Sequence, residues 1–294
     1  MPRSPAQLPP VAAGLAPFAS RYDLFLCDVW GVVHNGVAAF PAANDALTRA
    51  RAAGVTVIMI SNAPRPGAVV KKQIARYGVP ASAYDDVIAS GDVTREELAA
   101  RPGARVFHIG AERDLPNYVG LDVTLVDLDD ADLVVCTGPF HDDTETPDDY
   151  RGLMAEIKAR DLPLICANPD IKVERGDRLI WCAGALTAIY DELGGRTIYA
   201  GKPHAPIYRT ALARASTLRG RDVPGSRVLA IGDGLQTDLV GAARQEFDCL
   251  FVVRGIHAAD FDPDAKGEID REALARAFAA AGVAPVAVMR ELVW

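Results

Sequence analysis

Leu24-Phe25-Leu26-Cys27-Asp28-Val29-Trp30-Gly31-Val32 is a short apolar run that stops on a carboxylate and turns at a glycine. A run of that length, bounded by turn residues, reads as a fully buried strand. Such strands belong to parallel sheets covered by helices, and those sheets gather their ligands beyond the carboxyl ends of the strands. The same figure returns along the chain. Residues 55–60 are apolar except for Thr56 and end at Ser61 and Asn62, residues 199–201 lead into Lys202, and residues 228–231 end at Gly232 and Asp233.

Helical patterns separate these runs. Residues 44–53 carry Ala, Leu and Arg and stop at Gly54, a C-cap glycine, which completes one β-α-β unit. Residues 67–76 predict another helix. From about 88 to 185 the chain reads as a second unit, with strands over 105–109, 133–136 and 162–167 and helices over 93–100 and 148–159. A helix over 207–216, a last strand over 249–253, an acidic surface loop over 260–268 and an alanine-rich helix from Arg271 follow. The alternation predicts an α/β protein: a doubly wound parallel core sheet from residues 1–87 and 186–294, interrupted by a smaller α/β domain at 88–185.

The chain has 294 residues, half of them apolar and 24% charged, enough to bury two cores. Its net charge of −8 and lack of any Lys/Arg run argue against nucleic acid or an anionic membrane surface as partner. Phosphate can still bind locally, through backbone amides and a few basic side chains. Cys27, Cys136, Cys166, Cys182 and Cys249 are odd in number and form no CxxC pair, so neither a zinc site nor a disulfide framework is indicated. Prolines at 2, 5, 9, 10 and 17 make residues 1–17 a poor signal peptide, and no 18-residue uncharged apolar stretch occurs. The expected location is cytoplasmic.

A parallel sheet would bring Asp28, Ser61, Asn62, Lys202 and Asp233 to one edge. Carboxylates there suit Mg²⁺, and a lysine with a hydroxyl suits phosphoryl oxygens. The stretch Asp28-Val29-Trp30-Gly31-Val32 resembles the first motif of the haloacid dehalogenase-like superfamily. Ser61-Asn62 is similar to its second motif, Gly201-Lys202-Pro203 to its third, and Gly232-Asp233-Gly234-Leu235-Gln236-Thr237-Asp238 to its fourth. Only 33 residues separate Asp28 from Ser61, whereas 141 separate Ser61 from Lys202, so the inserted domain lies between the second and third motifs. That placement resembles class IIA, the branch of the NagD-like nucleotide, phosphoglycolate and pyridoxal phosphate phosphatases. Residues 167–170 and 184–186 resemble that branch as well.

The resemblance implies Mg²⁺-dependent hydrolysis of a small phosphorylated metabolite. Asp28 would be the nucleophile, forming an aspartyl-phosphate. Asp28, Asp233 and the backbone carbonyl of Trp30 would bind the metal, with Asp238 supporting that shell. Ser61 and Lys202 would hold the phosphoryl group, with Asn62 adding an amide. The inserted domain would be a cap over the site mouth that selects the substrate; such caps often form dimer contacts, which leaves a homodimer open as a partner.

One position departs from the pattern. Family phosphatases carry a second Asp two residues after the nucleophile, as general acid and base; here it is Trp30, whose indole only donates. Four readings follow: a slow or specialised phosphatase, a catalytically impaired phosphate-ligand binding or regulatory relative, a transferase that keeps water from the phosphoaspartate, or a dehalogenase. The last is disfavoured, because such enzymes use no metal and place their cap between the first two motifs. His34 is the nearest substitute proton carrier, against its plainer reading as a loop histidine beside the site. Arg65, His204 and the Asp142, Asp143, Glu145 cluster are read as ordinary loop or helix-start residues.

Overall fold

The runs that stop on polar residues are buried on both faces, as their unbroken apolar character requires. The computed structural model describes residues 8–175, 178–262 and 269–294; residues 263–268 of the acidic loop lie outside them. In chain order the strands are β1 (Leu24–Asp28), β2 (Thr56–Ser61), β3 (Asp86–Ala89), β4 (Ala104–Ile109), β5 (Val123–Leu125), β6 (Leu133–Cys136), β7 (Leu164–Cys166), β8 (Lys172–Arg175), β9 (Arg178–Trp181), β10 (Thr197–Tyr199), β11 (Val228–Gly232), β12 (Asp248–Val252) and β13 (Ala287–Met289).

The described chain forms two compact units. The first comprises the chain through Ser61 with Lys71–Ile88 and Tyr208–Trp294; the second comprises Asn62–Val70 and Ala89–Ile207. In the first unit six strands form one sheet in the order β13-β12-β11-β1-β2-β3. The chain runs outward from β1 through β2 to β3, then re-enters at β11, so the strand order reverses between β1 and β11. That reversal is where open α/β sheets bind their ligands. The register sets Cys27 opposite Met59 on one side and Ile231 on the other, so Asp28 and the end of β11 finish level. Phe25, Leu26, Ile58 and Phe251 are fully buried, each contributing about 1.5–3 kcal/mol of transfer free energy.

The second unit holds a five-stranded parallel sheet, order β10-β7-β6-β4-β5, and the separate antiparallel pair β8-β9. One face packs Val106, Val135 and Ile165 with Leu98. The other packs Val134, Cys136, Met154, Ile157, Leu186 and Tyr190. This unit reaches beyond the boundary expected at 185. Residue 185 lies inside the helix Ala183–Glu192, whose buried face completes this core, and β10 pairs with β7 through Thr197 and Leu164. A short, half-buried strand such as β10 carries no local signal of the sheet it joins. All five cysteines are buried, and no described helix is long and apolar enough to cross a membrane.

Candidate active site

Asp28 ends β1, and the parallel register carries Asp233 to the adjoining end of β11. Asp238 arrives from the π-helical turn Leu235–Leu239 that follows. Oxygens of Asp28, Asp233 and Asp238 lie within 4.8 Å of one another, and all three side chains are buried. Three carboxylates so placed repel one another unless a cation sits among them. Two are aimed by the backbone: Asp233 Oδ2 accepts from the Ile256 N–H at 2.7 Å, and Asp238 Oδ2 from the Gly234 N–H at 3.1 Å. An all-oxygen donor set of this kind fits Mg²⁺. Ser61 ends β2 one residue beyond Ile60, the partner of Asp28, and is buried.

The chain leaves β1 through a tight turn in which the Gly31 N–H bonds the His34 carbonyl at 2.9 Å. Gly31 adopts φ +84°, which suits glycine and strains other residues. This turn sets Gly31 against the Asp233 carboxylate. The Trp30 side chain lies back on its own loop. Its six-membered ring covers Gly36, where an added Cβ would stand 2.5 Å from Cζ2, and its face meets His34 edge-on at 5.3 Å.

His34 is a buried ring. It packs 4.9 Å from Tyr77, and its Nδ1 accepts from the Gly36 N–H at 2.8 Å. Burial pushes its pKa down to about 4. At neutral pH the ring is therefore uncharged with its proton on Nε2, and it has no acid to offer.

In the second unit Lys202 and Asn62 form one hydrogen-bonded piece. Asn62 Oδ1 accepts from the Lys202 N–H at 2.7 Å, while Nδ2 donates to the Lys202 carbonyl at 3.2 Å and to Asp170 Oδ1 at 2.8 Å. Both ends of the carboxamide are thus engaged, and Asn62 acts on Lys202 by fixing its backbone. Gly201 sits between Ser90, Asn62 and Pro169, where a Cβ would fall within 2.6 Å of each. The peptide Lys202–Pro203 is cis. Asp170 is the brace that motif reading passed over; its only signal was its place in the stretch 167–170.

Other readings change in part. Arg65 pairs with the buried Asp114 at 3.5 Å, where burial raises the carboxyl's pKa against the pull of Arg65. Asp142 pairs with Arg113, Asp143 with Arg178 at 3.2 Å, and Glu145 accepts from the Tyr150 hydroxyl at 2.5 Å. His204 stacks on Tyr199 at 4.3 Å. The acidic trio and Arg65 are structural ties within the unit.

Comparison with known proteins gives the same direction. A profile of haloacid dehalogenase-like hydrolases matches residues 25–123, and one described as HAD-hydrolase-like matches residues 199–281. A haloacid dehalogenase-like hydrolase from Brucella suis is 50% identical with a TM-score of 0.86, over 96% of this chain and all of that one. The ribonucleotide monophosphatase NagD of Escherichia coli is 24% identical over 80% of this chain and 89% of its own. A glycerol phosphate phosphatase from Mycobacterium tuberculosis, solved in complex with calcium, is 25% identical with a TM-score of 0.63, over 82% of this chain and 67% of that one.

Proposed function

The chain belongs to the haloacid dehalogenase-like hydrolase family, in its class IIA phosphatase branch, and from that premise we propose that it is a Mg²⁺-dependent phosphatase of a small phosphorylated metabolite. The observation that carries this reading is the buried trio of Asp28, Asp233 and Asp238 at the reversal point of the sheet. Asp233 and one oxygen of Asp28 would hold the metal with the Trp30 carbonyl, and Asp238 would support them. Bound there, Mg²⁺ would supply positive charge against the phosphoryl oxygens.

The other Asp28 oxygen would form a bond to phosphorus as the ester P–O bond breaks, leaving an aspartyl-phosphate that water then hydrolyses. Ser61 and Lys202 are assigned the phosphoryl oxygens by their places in the second and third motifs. Asn62 and Asp170 would keep Lys202 in position. Trp30 brings no carboxyl to the proton transfers, a loss of about 10²–10⁴-fold in rate. The neutral, enclosed His34 does not replace it, which favours a slow phosphatase or a catalytically impaired phosphate binder over a fast general one.

Phosphate release from a panel of phosphomonoesters, with Mg²⁺ and with EDTA, run beside Asp28→Asn, tests the reading. Ribonucleotides and glycerol phosphate come first, after the relatives' names. Metal-dependent release that vanishes in the variant supports a phosphatase. Silence across the panel, in a protein that still binds Mg²⁺ and inorganic phosphate, supports the binder.

A further inference from the structure

Resting on the aspartyl-phosphate reading, we propose that Asp28 accepts phosphoryl groups from donors whose leaving group departs as a stable anion, namely acyl, aryl and enol phosphates, and that phospho-Asp28 outlasts its own formation. The ground is the arrangement around position 30. An alkyl phosphate expels an alkoxide, which must take a proton as the P–O bond breaks; a carboxylate or a phenolate need not. In this chain the residue two places after the nucleophile carries no exchangeable acid, since indole N–H is a donor only.

The ionisable or polar groups of the first unit nearest position 30 and Asp233 have contacts of their own. Trp30 is held on its own loop by Gly36 and His34, with the ring 5.3 Å from that of His34. His34 is enclosed between Trp30 and Tyr77, and its Nδ1 is committed to the Gly36 N–H. Asp233 and Asp238 accept from backbone amides and stand within the cluster they form with Asp28. His257 stands on the loop whose Ile256 N–H bonds Asp233, but its Nδ1 lies 3.1 Å from Asp260 and its ring 5.7 Å from Phe261.

The step balances without a proton. A carboxylate oxygen of Asp28 bonds to phosphorus, the P–O bond to the leaving group breaks, and its electron pair leaves with an acetate or phenolate. The second step suffers for every donor alike. Water must bond to phosphorus while the P–O bond to Asp28 breaks, and the water's proton passes to solvent with no carboxylate at position 30 to receive it. Formation is then selective and breakdown uniformly slow.

Rapid-quench kinetics on the full chain with Mg²⁺ test this, using 4-nitrophenyl phosphate, acetyl phosphate and glycerol 3-phosphate. The expected results are a burst approaching one nitrophenolate per chain, a mass gain of one phosphoryl group absent in Asp28→Asn, and a common kcat for the aryl and acyl donors. The expected kcat/KM for glycerol 3-phosphate lies about 10²–10⁴-fold below that for the aryl ester, the range a missing acid accounts for. Trp30→Asp, where it folds, should shrink both the burst and that ratio. Comparable kcat/KM for alkyl and aryl donors, or Asp28-dependent turnover without a burst, would overturn the inference while leaving the phosphatase standing. Absence of Asp28 labelling and of release from every donor would overturn both.

Discussion

Gly31 lies directly against the carboxylate of Asp233: a Cβ built on Gly31 would come within 2.2 Å of Oδ2. The same glycine takes φ +84° and directs the chain away from β1. One residue thus sets both the course of the chain after Trp30 and the wall against which an acid of the carboxylate trio rests.

Gly31→Ala should therefore damage function more than fold. The left-handed backbone costs an alanine roughly 1–2 kcal/mol, and the methyl must also displace Asp233. Calorimetric titration with Mg²⁺ should show at least tenfold weaker binding in a chain that still melts cooperatively. Wild-type affinity would mean that Asp233 moves freely and takes no part in holding the ion.

Asp28→Asn should abolish turnover, by about 10⁴-fold or more as expected for a lost nucleophile, and should raise the melting temperature in EDTA. Removing one of three clustered buried carboxylates relieves their repulsion. The stabilisation added by Mg²⁺, about 2.7 kcal/mol at a hundred times Kd, should shrink in the same variant. Thermal melts with and without the metal check both signs; an unchanged melt in EDTA would show that the three acids do not share a field.

Asn62→Ala removes the acceptor for the Lys202 N–H and one donor to Asp170. A buried polar group losing its partner costs about 1–3 kcal/mol. The larger effect should appear in phosphate handling: the inhibition constant of inorganic phosphate should rise while Mg²⁺ affinity stays within twofold. Equal weakening of both ligands would refute Asn62 as a brace for Lys202 alone.

Asp86 governs a pH limb of stability. Burial alone would raise its pKa, but hydrogen bonds from Lys71 and Arg214 outweigh burial and hold it below the usual carboxylate value. A depressed carboxylate contributes stability above its unfolded pKa and loses it as the pH falls through the folded one. Denaturant midpoints should thus fall below about pH 5, and Asp86→Asn should be less stable at pH 7 with a flatter acid limb. A parallel decline in wild type and variant would refute this.

Most of the core sheet was legible because its strands are long, apolar and end on polar residues. The strand expected over residues 133–136 is β6 as found, and the helix expected over 67–76 is Gly67–Arg76 as found. β3, β5, β13 and the β8-β9 pair, each of three or four residues, were not read. Of the site, the trio Asp28, Asp233 and Asp238 was foreseen by motif and stands together in space. Asp170 as a brace and the enclosure of His34 were not foreseen.

The sequence by itself determined the class of fold, the strand ends and the chemistry offered at them, because these depend on residues within a few places of one another. Only the tertiary structure decided that Trp30 folds back over Gly36, that His34 is buried and neutral, and that Asn62 is engaged with Lys202 and Asp170. Those outcomes arise from packing and desolvation and, for Asn62, from hydrogen bonds across 140 residues. A period of 2 or 3.6 residues reports only which face of an element is buried, not what that face meets.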